Sequence, residues 1–385
     1  MSQLGDAAMF FALGWAATAH GGGTAGLVLA AITFPRAVLL LVGGVVADRF
    51  PVRAVLVVGD TAMIVVAMLA AIAAFSLGIP LWLLLTTAVS IGVVNAFYIP
   101  AAGTMPRRLV GTEALDRALG LRQSGTQVIS LVGAPLGAAL VSLGGLGGVA
   151  LVDSLTFAFA VLATVLVKAK FDIPSAPVGS NIFRQAVEGV ALTLRHQVLR
   201  PALVLTAAVA AFAVPVGSLI VPLLARENDW GAGAAGFILA SQSVGTLAVA
   251  LLVAHRGAAG RPGLAAGLSV IPVTIGVGML EWSDSPTQAI VAAAIFGTGL
   301  GLFVSHIGPL MLAASPGSYL GRVQSLITLV QSVSLIVTLN LLGRLADRTS
   351  VDTTALTCSF LLAAAGLVAL LSASLRRARL AAGKA

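Results

Sequence analysis

Apolar residues run along this chain in long stretches, each closed by Gly, Pro or charge, at 3–19, 24–47, 54–76, 80–101, 119–143, 147–168, 201–224, 232–254, 263–280, 286–312, 320–344 and 353–375. Most are close to the ~20 residues that carry a helix across bilayer hydrocarbon. Period-two alternation, the mark of a barrel strand, is absent from them. In hydrocarbon each backbone N–H and C=O must find its partner within the protein. The pattern therefore predicts an all-α membrane protein of about twelve transmembrane helices, spans 1 to 12 below.

The longest polar interruption is 169–200, which opens on Pro and Ser and then turns amphipathic and basic from Ile182 to Arg195. Such a segment predicts a tether lying on the inner membrane face. The expected organisation is an N-terminal six-helix bundle (1–168), a cytoplasmic linker (169–200) and a C-terminal six-helix bundle (201–385). The halves echo each other: "LGLRQS" at 119–124 and "LGRVQS" at 320–325 open the fifth span of each half. Internal repeats of this kind are a common build in secondary transporters.

Composition sharpens the picture. Hydrophobic residues make up 58% of the 385 and charged residues only 9%, against about 25% charged in soluble domains. Mean hydropathy is +1.05. The net charge of +8 would suggest nucleic acid in a soluble protein, but its placement gives another reason. With the N-terminus inside and the spans alternating, 18 of the 22 basic residues fall on the cytoplasmic side. The other side holds Arg226, Arg344 and Arg348, and Arg36 lies within a span. This is the bias that orients membrane proteins, and it predicts both termini in the cytoplasm. The single cysteine, Cys358, excludes a disulfide within the chain and argues against a cysteine metal site. No basic head or cleavage site marks a signal peptide. Asp6 comes so early, with no polar head before it, that some N-terminal residues are expected to be missing.

Ionisable groups in hydrocarbon cost about 2.5–3.5 kcal/mol each on insertion scales, so they are functional candidates by default. Here they are Asp6 in span 1, Arg36 in span 2, Asp60 in span 3, Asp153 in span 6 and His306 in span 10. Asp60 reads as a proton carrier or as a structural partner for a basic group near the inner face. Asp153 reads as a titrating acid or as the partner of a hydroxyl or backbone group. Arg36 needs a carboxylate or carbonyl, with Asp6 and Asp60 the obvious choices. His306 is either a titrating group or a core histidine held by backbone. Amides and hydroxyls recur at helical spacing: Gln123, Gln127 and Ser130 on span 5, and Gln324, Thr328 and Gln331 on span 11. With Asn95 and Gln242 they would line a path or join helices. Phe10, Phe11 and Trp15 are the aromatics of span 1; such rings suit a pocket for a bulky apolar molecule or a lipid-facing position.

Between spans 2 and 3 the chain reads "GGVVADRFPVR", 43–53. Here Gly44 permits close helix contact, Asp48 can pair with an arginine or a helix N-terminus, and Arg49 and Arg53 stay on the cytoplasmic face. These residues resemble the loop signature of the major facilitator superfamily, G-x-x-x-D-R/K-x-G-R-R/K. Gly44, Asp48, Arg49 and Arg53 match, while Pro51 and Val52 depart from it. The corresponding loop of the second half, near "VGTLAVALLVAHRGAAGR", lacks the Asp. More pieces look like one branch, the macrolide-efflux and enterobactin-exporter-like permeases: "SQLGD" (2–6), "FPR" (34–36), "NAFYIPAAGTMPRRLV" (95–110), "ALGLRQSGTQ" (118–127), "LVDSLTFAFA" (151–160) and "GRVQSL" (321–326). In span 5, "GAPLGAAL" with Gly133, Pro135 and Gly137 is similar to the exporter signature G-P-x-x-G-G, and its small residues and proline suit a pliable, close-packed helix.

The resemblance implies two pseudo-symmetric bundles around a central cavity, alternating access, and the loop motif as a gating element. It implies span 1 along the central path, which makes Asp6 the first candidate for coupling. The expected function is secondary active export of a bulky hydrophobic or amphipathic small molecule, as a proton-coupled drug efflux antiporter. The alternatives are an exporter of a siderophore or secreted metabolite, or a non-transporting membrane sensor or scaffold. No Walker loop, nucleophile triad, metal cluster or Rossmann signature is present, so no enzyme activity, catalytic residue, metal or cofactor is expected, and the resemblance implies the proton gradient as the energy source. The expected partners are a small-molecule substrate and the lipid bilayer, without nucleic acid. The expected setting is a monomer in the bacterial plasma (inner) membrane.

Overall fold

The computed structural model describes residues 2–110, 114–166, 193–315 and 320–379. Within them the chain is helical: α1 Ser2–Thr18, α2 Gly22–Arg49, α3 Val52–Leu77, α4 Leu81–Leu109, α5 Leu115–Leu166, α6 Leu199–Phe212, α7 Val221–Glu227, α8 Gly231–Arg256, α9 Pro262–Leu268, α10 Val270–Glu281, α11 Pro286–Ala314, α12 Leu320–Arg348, α13 Val351–Leu371 and α14 Ala373–Arg377. Ten helices among the described residues are long and apolar enough to cross a membrane. α1, with 17 residues, supplies a shorter apolar segment. The predicted linker falls largely outside the described residues, which resume at 193.

Several predicted spans take a form that their glycines and prolines explain. α5 counts 52 residues, about 78 Å if straight, far beyond the ~30 Å hydrocarbon core. It breaks at Gly145, where φ is 59° and ψ −160°, a region that essentially only glycine occupies. The chain doubles back there. Gly133 packs on Ala7, and Asp153 lies against Gly5, two residues earlier in α1. In a straight helix residues 133 and 153 would stand about 30 Å apart. Spans 5 and 6 are therefore two limbs of this one element. Span 7 is α6 and α7 joined through a π-helical stretch, Val216–Ile220. Pro215 and Pro222 withhold two backbone donors there, which disrupts the regular ladder. Span 9 is α9 followed by α10, broken at Ser269, where Pro272 has no N–H for the Leu268 carbonyl. α11 opens on Ser285, whose hydroxyl accepts from the Gln288 N–H, with Pro286 as its first residue.

Contacts divide the chain into two compact units, Met1–Val178 with Ala225–Ala240, and Gly179–Leu224 with Ser241–Ala385. In the first, α1 packs on α5, α2 on α4, and α3 on α5. In the second, α6 packs on α12 and α10 on α13, and α8 meets α11 where Gly297 sits on the Gln242 backbone. By span number these are 1–5, 2–4 and 3–6, then 7–11, 8–10 and 9–12. The repeat hinted at by "LGLRQS" and "LGRVQS" is thus a repeat of helix pairing. The core is rich in alanine (Ala8, Ala12, Ala17, Ala67, Ala70 and Ala71 are buried), while Val58 and Phe360 are 68% and 73% exposed. Small residues within and large apolar ones outside suit helices that pack closely in lipid.

Candidate functional site

The first unit gathers three carboxylates. Asp60 on α3 is fully buried, and Asp153 on the second limb of α5 is 1% exposed. Asp6 on α1 is only partly covered. Asp6 lies within electrostatic reach of both others. Asp60 has no hydrogen-bond partner on either oxygen, and Asp153 none on Oδ2, among the described residues. The Tyr98 phenol approaches Asp60 and Ser2 without reaching hydrogen-bond geometry to that carboxylate. Asp153 has only a long contact, 3.5 Å, from the Thr156 hydroxyl.

The three acids stand at two depths. α1, α3 and the α5 turn share one end of the unit: His20 Nε2 lies 2.9 Å from the Ile79 carbonyl, and Gly147 packs on the Phe75 ring. At 1.5 Å per residue from that end, Asp6 lies at about 18 Å and Asp60 at about 26 Å, while Asp153, whose backbone meets Gly5, stands level with Asp6. The row thus steps by roughly 8 Å along the helix axes, from the Asp153–Asp6 level to Asp60. Gly5 makes this possible, since a Cβ there would collide with Asp153 Oδ1 and Thr156 Oγ1. Phe10, one turn beyond Asp6 on the same face of α1, is 42% exposed.

The other ionisable candidates behave differently. Arg36, on α2 after Pro35, is partly buried and forms no ion pair with Asp6 or Asp60; the pairing expected from sequence does not occur. His306 is 3% exposed. Its Nδ1 lies 2.8 Å from the Leu302 carbonyl, and its Nε2 accepts from the Ala259 N–H at 3.1 Å. With both ring nitrogens engaged by backbone, His306 ties α11 to the turn before α9.

Among the amides, Gln123, Gln324 and Gln331 are exposed, and Gln127, Asn95 and Gln242 are partly covered. Gln242 contributes backbone: its carbonyl accepts from Thr246 at 3.1 Å. Trp15 stacks on Phe11 at 6.4 Å, so it is a packing residue as well as a candidate for the cavity.

In the loop motif, Gly43 rather than Gly44 makes the close approach. A Cβ on Gly43 would strike the Ala96 backbone of α4, whereas among the described residues nothing lies within 4 Å of one on Gly44. Arg49 and Arg53 are exposed, and Arg53 donates to the Val165 carbonyl. That carbonyl belongs to the last turn of α5, whose negative end attracts a guanidinium. The Asp48 side chain lies outside the described residues. The span-5 motif packs closely on both sides, Gly133 on Ala7 and Gly137 on the Ala8 backbone, with Gly236 of α8 reaching Ala134, Pro135 and Ala138.

One residue escaped the sequence reading. Arg226, at the end of α7, donates from Nε to the Thr18 hydroxyl at 2.7 Å and from an Nη to the Trp15 carbonyl at 2.9 Å. Its guanidinium lies 4.5 Å from the centre of the Trp15 ring. The only hint was its place among the three basic residues expected outside.

Paired helix repeats and lipid-suited surfaces define a multi-pass membrane protein. The sequence model described as Major Facilitator Superfamily matches residues 1–339, and the chain belongs to that family. No curated protein sequence matches the chain. Similar solved structures include the D-xylose-proton symporter (12% identity, 98% of this chain and 97% of that one, TM-score 0.73). A POT family transporter in complex with a thioalcohol-conjugated peptide is also similar (14%, 96% and 94%, 0.72), as is the nucleoside transporter NupG (11%, 96% and 98%, 0.68). At these identities the likeness is one of fold.

Proposed function

We propose that the protein is a proton-coupled antiporter that exports a bulky hydrophobic or amphipathic small molecule by alternating access, with Asp6 as the coupling acid. The observation that carries this reading is the row Asp153–Asp6–Asp60, which has no cationic partner among the described residues. Neighbouring acids on three helical limbs, stepping from the Asp153–Asp6 level to Asp60, suit a proton relay, and a charge crossing the membrane is worth about 2.3 kcal/mol per 100 mV. The flanking acids are sealed, whereas Asp6 and Phe10 share an accessible face of α1. An acid beside an exposed ring suits competition between a proton and an apolar molecule, especially a cationic one.

Export direction, and the branch of macrolide and enterobactin permeases, rest on the motifs at 2–6, 95–110 and 133–140. The matching symporter named above makes proton coupling familiar in this fold but speaks equally for import. The proposal includes a monomer in a bacterial inner membrane, both termini inside, needing no cofactor and binding no nucleic acid.

The test is efflux of a panel of dyes and drugs from intact cells, with and without a protonophore, for the wild type and Asp6→Asn. Wild-type cells should hold less compound than empty-vector cells, lose that advantage with the protonophore, and lose it with Asp6→Asn at equal abundance. Accumulation above the empty-vector level would mean import. No difference from empty-vector cells across drugs and siderophores would favour a sensor or scaffold.

A further inference from the structure

A second site lies in the other unit, apart from the carboxylate row. A cavity of about 430 Å³ opens where the chain enters α6 and leaves α13. Its polar end carries Arg195, His196, Arg200 and Ser374, and its apolar wall includes Val204 and Val368. Arg195 and Arg200 are exposed, and neither has a carboxylate partner among the described residues.

His196 is aimed by its own backbone. Its Nδ1 accepts from the Val198 and Leu199 N–H groups at 3.2 and 3.3 Å. The ring proton therefore sits on Nε2, which has no described acceptor. Ser374 closes the site by donating to the Gln197 carbonyl at 2.7 Å, holding α14 against the entry to α6. The apolar side continues into the surface of the spans: Val204 is 53% exposed and Val368 60%.

Donors without acceptors at one end, and an open apolar wall at the other, fit a molecule with an anionic head and hydrocarbon tails. We propose that this cavity is a binding site for one anionic phospholipid, its phosphate held by Arg195, Arg200 and the His196 Nε2–H, its chains lying along Val204 and Val368. Basic pockets between spans are where such headgroups bind. The volume is in the range of small-molecule pockets, suited to the headgroup and upper chain while the rest stays in the bilayer. The site rests on the membrane-spanning architecture and not on the direction or coupling of transport.

The experiment is native mass spectrometry and thermal unfolding of the purified full-length chain after exchange into phosphatidylglycerol, phosphatidylcholine or inorganic phosphate. The wild type should retain one phosphatidylglycerol and unfold at a higher temperature with it, and neither phosphatidylcholine nor inorganic phosphate should reproduce the shift. Arg195→Gln with Arg200→Gln should weaken retention by about tenfold to thirtyfold. Ala365→Trp, which keeps both arginines and fills the cavity, should weaken it too. Arg256→Gln with Arg261→Gln, basic positions outside the cavity, should not. Equal effects of the two phospholipids on the wild type would overturn the proposal whatever the variants do. An equal shift with inorganic phosphate would make this a free-anion site. Undiminished retention by the arginine pair or by Ala365→Trp, or equal loss from the control pair, would remove the lipid from the cavity.

Discussion

Asp60 and Asp153 are more deeply buried than Asp6, yet a coupling acid must meet both proton and substrate, and accessibility favours Asp6. The sealed acids are better placed to pass a proton along the row. Asp60→Asn is therefore expected to shift the pH dependence of transport while leaving energy-independent substrate exchange in place; an unchanged pH profile would make Asp60 structural. Gly5 is the steric hinge of the arrangement. Gly5→Val pushes two methyl groups toward Asp153 and Thr156 and should destabilise the protein by about 1–3 kcal/mol, the usual cost of overpacking. The unfolding temperature in detergent measures this, and a change of the same size from Gly44→Val, where the space is open, would contradict it.

Two elements depend on one residue each. The α5 hairpin turns on Gly145, and Gly145→Ala places a side chain in backbone territory that costs about 1–3 kcal/mol for any residue but glycine. Lower abundance in the membrane is expected, recovered at reduced growth temperature. Arg226 joins α7 to the end of α1 through the Thr18 hydroxyl, the Trp15 carbonyl and the Trp15 ring. Arg226→Ala should raise thiol labelling of a cysteine placed at the buried Ala17, in a Cys358→Ala background, while leaving insertion intact. Unaltered labelling would show that the contact does not hold these helices together. Asp48→Asn, in the loop motif, is expected to slow transport more than it lowers abundance.

The charges of the molecule as a whole predict its orientation. With 18 of 22 basic residues expected on the cytoplasmic side, a cysteine at Ser175, in the predicted linker, should react with a membrane-impermeant maleimide only after the cells are opened. Cys358 is buried, so its replacement by alanine leaves a clean background. Labelling of intact cells would invert the topology, and with it the proposed direction.

Much of this was legible in one dimension. A helix must bury its own backbone polarity in hydrocarbon, so a run of apolar residues announces a span wherever it folds. Length, composition and the asymmetry of Arg and Lys are local and additive, and they set the spans, the all-helical class and an expected orientation. The motif at 43–53 and the echo of "LGLRQS" carried the family and the repeat. Which buried polar groups meet is another matter, because it depends on the rotation and depth of helices far apart in sequence. Asp6, Asp60 and Asp153 became a row only once Gly5 let α1 settle on α5. Arg36 found no acid, His306 was taken up by backbone, Gly43 made the contact expected of Gly44, and Arg226 gained the Trp15 ring from 211 residues away. Spans are written in the chain because lipid reads each segment separately, whereas sites exist only where packing brings segments to the same depth and face.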